Sequence, residues 1–144
     1  MPQRTGEAVW EGDLRQGSGT LSLGSGAFSG RYSFASRFED SAGTTGTNPE
    51  ELIAAAHSGC FSMSLAAGLA GAGYVATRVR TTASVRLERQ EAGFAITRID
   101  LRCEAEVPGV DGETFRQEAE TAKANCPVSK ALAGTEITLE AKLL

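Results

Sequence analysis

Apolar and polar residues change rhythm several times along the chain, and each rhythm predicts an element. Residues 1 to 46 set short apolar stretches among Gly and Ser, as in AVWEGDL, GTLSLGSG and AFSGRYSF. That pattern predicts short strands joined by glycine turns, an antiparallel meander. At Thr47 the pattern changes: Asn48 suits a helix N-cap, Pro49 the first helical position, and Glu51 falls three residues after the cap. The helix they start carries no charged residue from Leu52 to Ala70 and meets its first stop at Gly71 or Gly73. From Thr77 to Arg89 the side chains alternate, with Val79, Thr81, Ala83, Val85 and Leu87 in one phase. Residues 90 to 93 form a hairpin loop, and the return strand runs from Phe94 towards Val107. Phe94 and Ile96 are in one phase, Ile99, Leu101, Cys103 and Ala105 in the other, so a bulge near Thr97 is expected. A second helix starts near Asp111, with Phe115, Ala119, Ala122 and Cys126 on one face. Pro127 interrupts it, a short helical turn spans 128 to 133, and TEITLEAKL alternates as a last strand. The order predicts an α+β fold, and 144 residues fit one domain over 1–144.

The charge-free helix has two readings. Its length approaches the ~20 residues of a membrane span, but Ala, Gly, Ser and His stand where Leu, Ile and Phe dominate a span. The favoured reading is therefore a helix buried on most sides, whose small residues admit a close neighbour. A chain of this size has few other elements to surround such a helix, so burial by a second copy is expected, and no membrane.

Composition narrows the class. Hydrophobic residues make up 41% and charged residues 22%, ordinary values for a folded soluble chain. Fourteen Lys and Arg against eighteen Asp and Glu give a net charge of -4, which supplies no global field towards a phosphate backbone. Nucleic acid is not an expected partner. The stretch MPQRTGEAVWEGDL has no apolar core behind a basic start, so a cytoplasmic location is expected. Three scattered cysteines without a CxxC pair do not make a disulfide scaffold, and in a reducing compartment such cysteines point to redox chemistry.

Of the three, Cys103 shares the phase of Leu101 and Ala105 and reads as core. Cys60 sits about twelve residues into a neutral helix, beyond the reach of its dipole. Burial alone would raise its pKa, so it is either a small core residue or a functional thiol that needs a cation from elsewhere in the fold. Cys126 precedes a proline at a helical turn, with Lys123 and Lys130 near in sequence, a setting that favours thiolate; a half-buried helix-end residue is the alternative. His57 lies three residues before Cys60 on the same face, but the chain has one His, so the expectation is a hydrogen-bonded helix residue and no metal site. There is no GxGxxG, GxxxxGK[ST] or GxSxG, which removes local support for nucleotide binding or a serine hydrolase.

The run Thr47-Asn48-Pro49-Glu50-Glu51-Leu52, continued by Ala55-Ala56-His57-Ser58-Gly59-Cys60-Phe61-Ser62, resembles the signature of the osmotically inducible branch of the OsmC/Ohr family. Asn125-Cys126-Pro127-Val128-Ser129-Lys130-Ala131-Leu132, with Glu136-Ile137-Thr138-Leu139 after it, is similar to that family's second cysteine motif. So is Glu91-Ala92-Gly93-Phe94-Ala95-Ile96-Thr97. The resemblance runs from about Arg37 to the C-terminus, and the first 30 residues match least.

The resemblance implies an OsmC-like fold of antiparallel sheets around two central helices, in an intertwined homodimer with its sites at the interface. It implies a thiol peroxidase that reduces organic hydroperoxides and hydrogen peroxide without metal, flavin or other cofactor. Cys60 is then the peroxidatic thiolate and Cys126 the resolving thiol, with Arg37 and Glu50 as the site's arginine and glutamate. An external dithiol, of lipoyl type in relatives, would reduce the disulfide. Leu52, Ile53, Phe61, Met63 and Leu65 are expected to give apolar area near Cys60 that favours organic hydroperoxides. Two alternatives stay open: a non-enzymatic protein whose Cys60–Cys126 disulfide alters a partner surface, and a module that binds an apolar ligand.

Overall fold

The glycine-rich N-terminal third forms the expected meander: β1 (Gly6–Glu11), β2 (Ser18–Leu23) and β3 (Ser29–Tyr32), antiparallel in that order. The computed structural model describes all 144 residues and comprises two units, Met1–Leu52 and Ile53–Leu144. After β3 the chain makes a wide π-type turn at Ala35–Glu39, then a loop, and enters α1 (Pro49–Gly71). Asn48 caps α1 by accepting the Glu51 N–H at 2.8 Å, while the Glu51 carboxylate accepts the Thr47 hydroxyl at 2.7 Å. The loop is shaped by Asp40, which accepts the hydroxyls and amides of Thr45 and Thr44 and whose pKa the Thr45 hydroxyl, above all, lowers to about 2. Gly46 closes it at φ 142°, where a Cβ would stand 2.5 Å from the Arg31 carbonyl oxygen, so no other residue fits.

The second unit is built on β4 (Arg78–Gln90) and β5 (Gly93–Glu106), an antiparallel hairpin. Arg86 pairs with Arg98 but Leu87 with Ile96, which leaves Thr97 as the expected bulge residue. The bulge turns the phase so that Ile99, Leu101, Cys103 and Ala105 all face inward, each at most 1% exposed. Next come α2 (Gly112–Asn125), capped by Asp111, and α3 (Pro127–Ala131), after which β6 (Glu136–Leu143) returns. One detail departs from a purely antiparallel architecture: β6 lies parallel to β5, with Ile99 opposite Ile137 and Leu101 opposite Leu139. The cause is the connection, since a chain that crosses back through α2 and α3 re-enters the sheet in its original direction.

Within this unit α1 lays Phe61, Leu65 and Leu69 against the inward face of β5 and against Phe115, Ala119 and Ala122 of α2. Burial of α1 is narrower than the sequence predicts. His57, Phe61, Leu65 and Leu69, four residues apart, form one fully buried stripe, while Ala55, Ala56, Met63, Ala66 and Ala67 are exposed. A single chain supplies one partner layer, and a helix without charges therefore keeps an uncovered apolar face. By length and composition alone α1 could also cross a membrane; the stripe packed on β5 and α2 is what a core helix shows.

Candidate active site

In the first unit the π-type turn and the start of α1 are tied together through Ser36. Its hydroxyl donates to the Thr47 carbonyl at 2.7 Å, and its carbonyl accepts from the Asn48 side chain at 3.0 Å. This brings Arg37 onto Glu50. The guanidinium donates through Nε at 3.2 Å to both carboxylate oxygens and through Nη2 at 2.7 Å to Oε1. Two-pronged pairing fixes the plane of the guanidinium as well as its position. Glu50 is buried, while Arg37 beside it is exposed. Around Arg37, the rings of Trp10, Tyr32, Phe34 and Phe38 with Leu14 line a cleft of about 290 Å³. The cleft is aromatic, with Arg37 in its wall and the Arg15 guanidinium 4.6 Å from the centre of the Phe34 ring.

In the second unit Cys126 ends α2 and caps α3, so its sulfur is fixed by the geometry of two helix ends. It is fully buried and receives the Ser129 N–H at 3.3 Å and contacts the Ser129 hydroxyl at 3.0 Å. The Ser129 hydroxyl in turn lies 2.7 Å from His57 Nε2, whereas His57 Nδ1, also buried, has no partner. Cys60, half-buried on α1, lies near enough to Cys126 for that thiol to act on its ionisation, both cysteines being free. Burial pushes the Cys60 thiol up; the Val128 N–H pulls it down, the Cys126 thiol adds to the rise, and the Ser64 hydroxyl opposes it. No cation contributes, which is the deficit the helix position of Cys60 predicts.

Cys103 is core, 1% exposed, and its pKa is raised by burial. The lysines expected to assist Cys126 point elsewhere: Lys123 pairs with Glu120 at 3.5 Å and Lys130 is exposed on α3. Long lysine side chains at helix ends reach for water, so proximity in sequence does not become proximity in charge. Phe61 and Leu65 do not offer area to a peroxide, being fully buried against β5 and α2. Each lies about 100° from its helical neighbour, so residues adjacent to Cys60 in sequence face away from it. His57 is hydrogen-bonded as expected, but to Ser129, which sequence reasoning did not single out. A usable signal existed: Ser129 is three residues after the cap Cys126, the spacing at which side chain and backbone meet across a helix start. No three His, Cys, Asp or Glu residues are grouped to hold a metal.

The geometry can be set beside known proteins. A sequence profile described as OsmC-like protein matches residues 40–142, beginning just after Arg37. Peroxiredoxin OsmC of Escherichia coli (strain K12) is 50% identical over 141 residues, covering 97% of this chain and 96% of that protein. Among solved structures, an OsmC-like protein of unknown function from Vibrio cholerae aligns over 98% of this chain and 99% of its own at TM-score 0.78, with 18% identity. An organic hydroperoxide resistance protein from Elizabethkingia anophelis aligns over 99% of both chains at TM-score 0.71, with 25% identity. With the α+β order, the paired thiols and these matches in agreement, this chain belongs to the OsmC-like protein family.

Proposed function

We propose that this chain, as one OsmC-like domain, reduces organic hydroperoxides by a two-cysteine cycle in a homodimer. That it is a peroxidase enzyme rests on the 50% identity to peroxiredoxin OsmC over nearly the whole chain. The finer reading is supported above all by the nearness of the two free thiols of Cys60 and Cys126, the second acting on the ionisation of the first. The Cys60 thiolate attacks the outer peroxide oxygen, the O–O bond breaks, and the alkoxide leaves as an alcohol once protonated. The resulting sulfenic acid condenses with the Cys126 thiol, which forms the disulfide and releases water. An external dithiol, of the lipoyl type that family resemblance suggests, restores both thiols.

The missing cation is Arg37. On an unbroken α1, Glu50 and Cys60 are ten residues apart, about 15 Å along the axis. An Arg37 clamped on Glu50 therefore serves the Cys60 of a second chain more economically than its own, across a two-fold axis. The uncovered apolar face of α1 supports such a pairing. The aromatic cleft beside Arg37, in place of the buried Phe61 and Leu65, receives the organic group. Organic hydroperoxides are then preferred over hydrogen peroxide, which has no apolar group to bury. A reducing cytoplasm suits thiols that must return to the free state.

Subunit exchange tests this. Inactive Cys60→Ser and inactive Glu50→Ala proteins, mixed and exchanged, are expected to regain cumene hydroperoxide turnover with a supplied dithiol, because each heterodimer holds one intact site. Heterodimers that form but stay inactive would sink the shared site. A wild-type protein that closes its disulfide once without turnover would instead make it a redox-responsive protein.

A further inference from the structure

We propose that Ser129 and His57 form a proton relay for Cys126, taking up its thiol proton at the step that closes the Cys60–Cys126 disulfide; the proposal rests on the two-cysteine cycle above. Cys126 is fully buried, so water does not reach the thiol that must ionise before it attacks the sulfenic acid. The acceptor has to be internal. The polar path leading from its sulfur is continuous: Sγ to Ser129 Oγ at 3.0 Å, and Ser129 Oγ to His57 Nε2 at 2.7 Å. Ser129 touches the reacting sulfur and is the catalytic residue of the pair, while His57 acts through it.

Packing alone does not account for His57. It occupies the first position of a stripe that continues as Phe61, Leu65 and Leu69, where an aliphatic side chain would bury no polar atom. Instead a ring nitrogen, Nδ1, is enclosed without a partner. A place where a local rule is broken without a packing gain is where function is expected. With Nε2 accepting from the Ser129 hydroxyl, Nδ1 carries the ring hydrogen, and the imidazole is the neutral form a base requires. Burial holds the His57 pKa below its ordinary 6.5 and is its one cause, so the ring stays neutral through the physiological range. The titratable groups around the relay are the thiols of Cys60 on α1, Cys126 at the α2–α3 junction and Cys103 on β5, with Lys123 of α2 paired to Glu120 and Lys130 of α3 exposed. None carries a charge onto the ring.

The step balances. As the Cys126 S–H bond breaks, its proton passes to Ser129 Oγ while the Ser129 proton passes to His57 Nε2. The thiolate sulfur attacks the sulfenic sulfur of Cys60; the S–S bond forms, the S–O bond breaks, and the sulfenic sulfur is reduced as the thiol sulfur is oxidised. The oxygen leaves as hydroxide and becomes water by taking the proton that the imidazolium of His57 returns through Ser129.

Single-turnover quench of the reduced full-length protein with cumene hydroperoxide, read by mass spectrometry for the dimedone adduct of Cys60 and for the disulfide, separates the two steps. Ser129→Ala is expected to form sulfenic acid at the wild-type rate and to close the disulfide about a hundredfold more slowly. Ser129→Thr, which keeps the hydroxyl, restores closure. Wild-type closure should be level from pH 6.5 to 8, whereas in His57→Gln it should rise about tenfold per pH unit as hydroxide takes the place of the ring as base. Closure at the wild-type rate in Ser129→Ala, or a tenfold rise per unit in the wild type, overturns the relay. The wild-type profile decides the matter even where a variant does not fold. Absence of any Cys60 sulfenic acid in the wild type removes the two-cysteine cycle instead, a separate result.

Discussion

The two units of the chain bury opposite kinds of residue. In Met1–Leu52 the buried set is polar: Ser36, Thr47 and Glu50, held in hydrogen bonds that fix Arg37. In Ile53–Leu144 it is chiefly an apolar core of Phe61, Leu65, Leu69, the inward face of β5 and the face of α2, with His57 and Ser129 as its buried polar members. The first unit holds four arginines, Arg37 among them, and no cysteine; the second holds all three cysteines, with no cation acting on Cys60. A buried thiol without positive charge stays protonated and inert, and a clamped arginine without a nucleophile has nothing to activate. The comparison teaches that hydrogen-bond satisfaction shapes one half as apolar burial shapes the other.

The largest effect should come from removing the nucleophile. Cys60→Ser abolishes peroxide consumption, while Cys126→Ser leaves one turnover and a trappable sulfenic acid at Cys60, read as peroxide consumed per chain and as a dimedone adduct. Turnover persisting in Cys60→Ser, with Cys126 labelled, would reverse the roles. Next in size is loss of the cation. Arg37→Ala should lower kcat/KM for cumene hydroperoxide by about 10² to 10³, and Arg37→Lys should recover little, because a point charge cannot reproduce the two-pronged hold on Glu50. An Arg37→Ala protein with unchanged kcat/KM would confine the first unit to a structural role.

Smaller effects sharpen the other side of the contrast. Cys103→Ser should keep its activity and lose roughly 1 to 3 kcal/mol of stability in urea unfolding, since the new hydroxyl is buried among Leu101 and Ala105 with the Thr81 hydroxyl as its neighbour for hydrogen bonding. Full stability with no activity would contradict both halves. His57 gives a pH signature in the same measurement. Its folded pKa lies below 6.5, so on acidification through 6.5 the unfolded chain takes up a proton that the folded one refuses. The stabilisation is complete above that pH and is lost as pH falls below it, and the urea midpoint of His57→Gln should depend less on pH between 7.5 and 5.5.

Much of the architecture is set by local rules and was therefore legible. The Asn48 cap, the Gly71 stop, the bulge at Thr97 and the inward phase of Ile99 to Ala105 each depend on neighbours within a few residues, through capping bonds or the two-residue period of a strand. Cys103 as core follows from that same period. Contacts between residues far apart in sequence were not legible. Only the fold set β6 parallel to β5, turned Phe61 and Leu65 away from Cys60, drew Lys123 outward to Glu120 and laid His57 on Ser129, 72 residues on. Sequence patterns report which face of an element is apolar, because periodicity is local. Which side chain meets that face depends on how elements pack, and packing is decided by the whole chain.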